Sequence, residues 1–129
     1  MNYEELTTLG GTVREFQGFD TFPAPKNVTL VALESDEFTS VCPITGQPDW
    51  YSIKIEYVPG EVCLESKSLK LYLHKFRNEG IFGEGLASLI ADDIFEALSP
   101  KKVVITLWQK PRGGISITSV AERTKEVSA

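Results

Sequence analysis

Cys42 and Asp49 set a nucleophile and a carboxylic acid at the two ends of one short loop in this 129-residue chain. Cys42 follows the β-forming run Phe38-Thr39-Ser40-Val41 and stands where Pro43, Gly46 and Pro48 break regular structure. Asp49 arrives seven residues later, as aromatic and β-branched residues resume at Trp50. A thiol on a turn can attack an electrophilic carbon while a nearby carboxyl protonates the atom bonded to it. The same two residues also suit a structural role, because free cysteines are commonly buried and inert and Asp often serves as a turn residue before a strand.

The elements that must hold this pair follow from hydrophobic period. Residues 27–34, with Val28-Thr29-Leu30-Val31-Ala32-Leu33, read as a strand that leads into the loop. From Trp50 to Val58 the alternation places Tyr51, Ile53, Ile55 and Tyr57 on one face of a half-buried strand; Pro59-Gly60 ends it, and Val62-Cys63-Leu64 reads as a short return strand. The period then changes. Leu69, Tyr72, Leu73 and Phe76 form one helical stripe, with Glu65-Ser66 placed to cap its first turn. Lys67, Lys70 and His74 share another side of that helix, a pattern that fits an anion site near a helix N-terminus, although a solvated lysine face is the commoner outcome and the one these residues alone favour.

A connector, Arg77-Asn78-Glu79-Gly80-Ile81-Phe82-Gly83, precedes a second helix from about Glu84 to Leu98, with Leu86, Ile90, Ile94 and Ala97 aligned and Asp92 and Glu96 on a solvated face. Pro100 ends it. Two strands, Val103 to Gln109 and Ile115 to Val120, close the chain around the hairpin turn Pro111-Arg112-Gly113-Gly114. We expect an arm over residues 1–26 that packs Phe16, Phe19 and Phe22 on the body or on a neighbouring subunit, a domain over 27–121 and a polar tail over 122–129. The order predicts an α+β fold, an antiparallel four-stranded sheet with both helices on one face. Its open edges favour ring closure with further copies of the chain.

Composition narrows the function classes. A net charge of −5 and a pI near 4.9 argue against direct nucleic-acid binding, which needs a basic face. No apolar run reaches the ~18 residues of a membrane span, and Met1-Asn2-Tyr3-Glu4-Glu5 lacks the basic and apolar segments of a secretory signal, so no membrane role and a cytoplasmic location are expected. Two cysteines and one histidine make neither a disulfide scaffold nor a zinc site; no metal is expected.

The run Glu65-Ser66-Lys67-Ser68-Leu69-Lys70-Leu71-Tyr72, together with Cys42-Pro43-Ile44-Thr45-Gly46-Gln47-Pro48-Asp49 upstream, resembles the NADPH-dependent 7-cyano-7-deazaguanine reductases, nitrile reductases of the queuosine pathway. The resemblance covers roughly Val28 to Ile117. It implies the tunnelling fold (T-fold), active sites between subunits, and a homo-oligomer that is a decamer of two pentamers. It implies Cys42 as covalent nucleophile and Asp49 as proton donor, with 7-cyano-7-deazaguanine as substrate and NADPH as cofactor. Leu64, Glu65, Ser66, Gly83 and Glu84 would contact substrate, Glu84 by pairing with the deazaguanine edge. Lys67, Lys70 and Arg112 would hold cofactor phosphates.

Two positions depart from the family pattern: Gly83 stands where many members have His, and no cysteine lies at or just after Glu84 to form a protective disulfide with Cys42. An amidinotransferase-like branch of the same fold shares the Cys–Asp pair, and a non-catalytic purine- or pterin-binding module is the alternative of another class. A zinc cyclohydrolase of this fold would need ligands that the chain lacks.

Overall fold

The structure, a computed structural model, describes residues 15–126. In chain order it comprises β1 (Thr21–Pro23), β2 (Val31–Val41), β3 (Pro48–Val58), β4 (Val62–Leu64), α1 (Ser66–His74), a 3₁₀ turn (Lys75–Asn78), α2 (Gly83–Leu98), β5 (Lys102–Arg112) and β6 (Ile115–Thr124). An antiparallel sheet in the order β2-β3-β5-β6 carries both helices on one face, as expected. Tyr51, Ile53, Ile55 and Tyr57 of β3 and Val103, Ile105 and Leu107 of β5 supply the sheet side of the core. Leu69, Tyr72, Leu73 and Phe76 cover one half, and Leu86, Ile90, Ile94 and Leu98 the other. The α2 stripe thus ends at Leu98, whereas Ala97, expected in it, is exposed: three successive steps of four residues track the buried face, and a last step of three falls short.

Several elements differ from expectation. The two β-forming runs before the loop are one strand, β2, with a bulge between Ser35 and Phe38. The short strand β4 does not return onto β3; it pairs with β1, so the arm supplies its partner. Phe16 and Phe19 pack on Tyr72 at centroid distances of 5.3 and 4.6 Å, while the Leu6 to Thr12 part of the arm lies outside the described residues. The strand β6 runs to Thr124, into the segment expected as tail. There Arg123 meets Asp92 at 3.0 Å and Glu96 at 3.3 Å and lies over Phe95, so those two carboxylates have a partner where solvent alone was expected. Gly113 and Gly114 both take positive φ (59° and 81°) at the β5–β6 hairpin, the conformation a tight two-residue turn requires and glycine adopts without strain.

Both bulges matter for the site. Val31, Leu33 and Ser35 point towards the helices, so strict alternation would turn Val41 inward and Cys42 outward; the extra residue in β2 reverses this and buries Phe38, Ser40 and Cys42. In β5 one extra residue between Gln109 and Arg112 likewise brings Arg112 to the face of Gln109.

Candidate active site

Cys42, Asp49 and Arg112 converge where β2, β3 and β5 end on the helix-facing side. Asp49 continues the inward series of Tyr51 and Ile53 and is 3% exposed. Its Oδ1 accepts a hydrogen bond from Gln109 Nε2 at 3.3 Å and faces Arg112 Nε at 3.2 Å. Beside it, the hydroxyls of Ser40 and Tyr51 pair at 2.8 Å. Burial pushes the Tyr51 phenol up, and the charges of Asp49 and Glu84 act in the same direction.

The Cys42 turn holds its thiol ready to ionise. Cys42 N–H donates to Gln47 O at 2.8 Å and Gly46 N–H to Cys42 O at 2.9 Å, which closes the loop back on itself with Gly46 at φ 71°. The thiol is lowered to about 7, first by the Thr45 hydroxyl, then by backbone groups of Thr45 and Ile44, with Arg112 adding and burial opposing. A thiol of that acidity is about half thiolate at neutral pH, against a few per cent for an ordinary cysteine. Arg112 therefore acts on both Cys42 and Asp49. It was expected on cofactor phosphate, and here it is ion-paired with Asp49.

The connector seats α2 against this turn. Val41 N–H donates to Glu79 O (3.0 Å) and Ile81 N–H to Val41 O (3.2 Å), and a Cβ on Gly80 would stand 3.1 Å from Pro43 Cα. This close approach brings Gly83, buried, and Glu84, exposed, to the same end of the sheet. The sole histidine, His74, lies elsewhere, at the C-terminal end of α1, and does not replace a side chain at 83.

The other expected substrate residues stand at the opposite end. Leu64 N–H donates to the Tyr57 hydroxyl at 2.9 Å, and Tyr57 lies eight positions beyond Asp49 on β3, about 26 Å at the usual rise of a strand. Leu64 is buried in the core, and both oxygens of Glu65 are occupied as the cap of α1, accepting from Lys67 N–H (2.6 Å) and Ser68 N–H (2.8 Å). Ser66 beside it is exposed, and each Glu65 oxygen keeps a lone pair beyond its capping bond. Cys63 is free at this end too, so it forms no disulfide with Cys42 within the chain.

Between the ends, a groove of about 500 Å³ runs between β2 and α1, with Leu33, Phe38, Leu69 and Leu73 in its apolar floor and Ser66, Lys70, His74 and Arg77 along one wall. Lys70 and Arg77 enter no ion pair among the described residues, which suits them to a phosphate-bearing ligand; Glu34 and Glu37 line the β2 side. Lys67 does not line the groove. Arg77 escaped the sequence reading although it continues the Lys70 and His74 face at helical spacing. Gln109 escaped it as well, and its signal was an amide in the inward series Val103, Ile105, Leu107.

The family model described as QueF-like protein matches residues 48–128, which include Asp49, Gly83 and Arg112. Among curated proteins, the NADPH-dependent 7-cyano-7-deazaguanine reductase of Syntrophus aciditrophicus is 48% identical over 93% of this chain and 87% of its own. That of Frankia casuarinae is 45% identical over 94% and 98%. The chain belongs to the QueF-like family, that of the 7-cyano-7-deazaguanine reductases. Among solved structures, the archaeosine synthase QueF-Like in the apo form matches with a TM-score of 0.70 and 29% identity, over 75% of this chain and 95% of that one. The α+β sheet with its two helices is accordingly the T-fold of this family.

Proposed function

We propose that this protein reduces the nitrile of 7-cyano-7-deazaguanine to the aminomethyl group with NADPH, in queuosine formation, through a thioimidate on Cys42. The observation that carries the reading is the Cys42 thiol, lowered to about 7, sharing Arg112 with the buried Asp49. In the first step the Cys42 sulfur bonds to the nitrile carbon as its S–H bond breaks, a π pair of C≡N moves to nitrogen, and the proton released by the thiol reaches that nitrogen through Asp49. Because Oδ1 holds the Gln109 bond and faces Arg112, Oδ2 is the oxygen that carries this proton. Bound NADPH supplies the hydride for each of the two reductions. The acidity that makes Cys42 a ready nucleophile also makes it a good leaving group when the carbon–sulfur bond breaks.

Glu84 is the carboxylate for the ring N–H and exocyclic amine of the substrate, and Lys70 with Arg77 would hold cofactor phosphates. The site takes its Cys42 end from one copy and its Ser66 turn from another. The separation of the two ends within a chain supports this, as do the two long sheet edges, β2 and β6. A decamer of two pentamers in the cytoplasm, where both thiols stay reduced, completes the reading.

Nitrile-dependent oxidation of NADPH, followed by absorbance, tests it: two NADPH should be consumed per aminomethyl product. A Cys42 adduct with no NADPH oxidation would instead favour amidine-forming chemistry of the amidinotransferase-like branch.

A further inference from the structure

Gln109 breaks the pattern of its strand. Val103, Ile105 and Leu107 send apolar side chains inward, and the next inward position holds a primary amide that is 6% exposed. Burying an amide costs free energy unless its groups find partners, and an apolar residue would fill the place without that cost. The amide has one such partner, since Nε2 donates to Asp49 Oδ1 at 3.3 Å.

Its other atom explains a glycine. Gly83 lies in the first turn of α2 at a φ open to any residue, where glycine is among the poorest helix formers. A Cβ at position 83 would stand 3.1 Å from Gln109 Oε1 and 3.5 Å from Tyr51 Cε1, so the space a side chain would need is held by the amide. The orientation of the amide is set from both sides. Oε1 faces the N-terminal turn of α2, whose dipole favours a partial negative charge, and the N–H faces the carboxylate; the reverse placement would set oxygen against oxygen.

We propose that Gln109 is the positioning residue of the reaction: paired with Gly83, it fixes the Asp49 carboxyl so that Oδ2 faces the nitrogen of the nitrile bonded to Cys42. Arg112 also reaches Oδ1, but its side chain is 44% exposed whereas Gln109 is buried. The inference rests on Asp49 as proton donor.

The test is the rate of Cys42 adduct formation with 7-cyano-7-deazaguanine in the absence of NADPH, followed by intact mass. Gln109→Met keeps length and bulk and removes the donor; it should slow the adduct at saturating nitrile about tenfold to a hundredfold and move the half-saturating concentration less than about threefold. Gly83→Ala should slow the same step by displacing the amide, and the double variant should be no slower than Gln109→Met alone. A wild-type rate in Gln109→Met, or effects of the two substitutions that multiply, would overturn the inference while the nucleophile stands. A wild-type protein that forms no adduct overturns the thioimidate reading and this inference with it.

Discussion

At the Cys42 end of the sheet the buried polar side chains Ser40, Asp49 and Gln109 each bond to another side chain of the same chain, whereas at the Glu65 end the carboxylate is spent on its own helix and Ser66 and Lys70 open onto a groove. The first end has the traits of preorganised chemistry, with fixed dipoles around a sulfur and an acid. The second has the traits of a binding surface that needs a facing wall. The contrast is what the proposed arrangement requires, in which one chain builds the reacting groups and a second copy encloses them.

The contrast can be broken most sharply at the sulfur. Cys42→Ala should abolish the nitrile adduct and lower turnover by at least about a thousandfold, read by intact mass and NADPH oxidation. Mixing comes next. If each site joins two copies, equal amounts of a Cys42→Ala protein and a Ser66→Trp protein, each inactive alone, should regain about a quarter of wild-type activity after reassembly, because one junction in four draws both intact ends. No recovery would place both ends of the site in one chain.

At the groove, replacing both Lys70 and Arg77 with Ala should raise the KM for NADPH about tenfold and leave kcat within about twofold, since a charge that only binds phosphate acts equally before and during reaction. At the turn, Thr45→Val removes the hydroxyl that most lowers the Cys42 thiol. Alkylation of Cys42, which follows the thiolate and rises with pH through about 7, should then rise at higher pH and be slower below neutrality. The smallest effect belongs to the other end: Glu65→Ala should cost about 1 kcal/mol in urea unfolding, the size of a lost helix cap.

Much of this was legible in the residues. The alternation from Tyr51 to Tyr57 and the stripe from Leu69 to Phe76 announce their buried faces because one face of each meets the core, and the Glu65 cap is a local event that its neighbours in sequence determine. The partner of β4 was hidden, since three residues carry too little pattern to say whether they return on β3 or meet an arm forty positions away. The tie between Arg112 and Asp49 was hidden for another reason. It depends on which side of a strand each residue faces after a bulge, and neither bulge is marked by a glycine. Gln109 could have been noticed, because an amide in an inward apolar series asks for a partner.

Those two extra residues, one before Phe38 and one before Arg112, make the site a matter of counting as much as of chemistry. Removing a single residue from either place would keep every reactive group in the chain and yet send the sulfur or the guanidinium to the far side of the sheet, across from the acid they serve. Insertions and deletions of one are therefore more damaging there than most replacements, and variation in this protein should alter the letters of those segments more freely than their length.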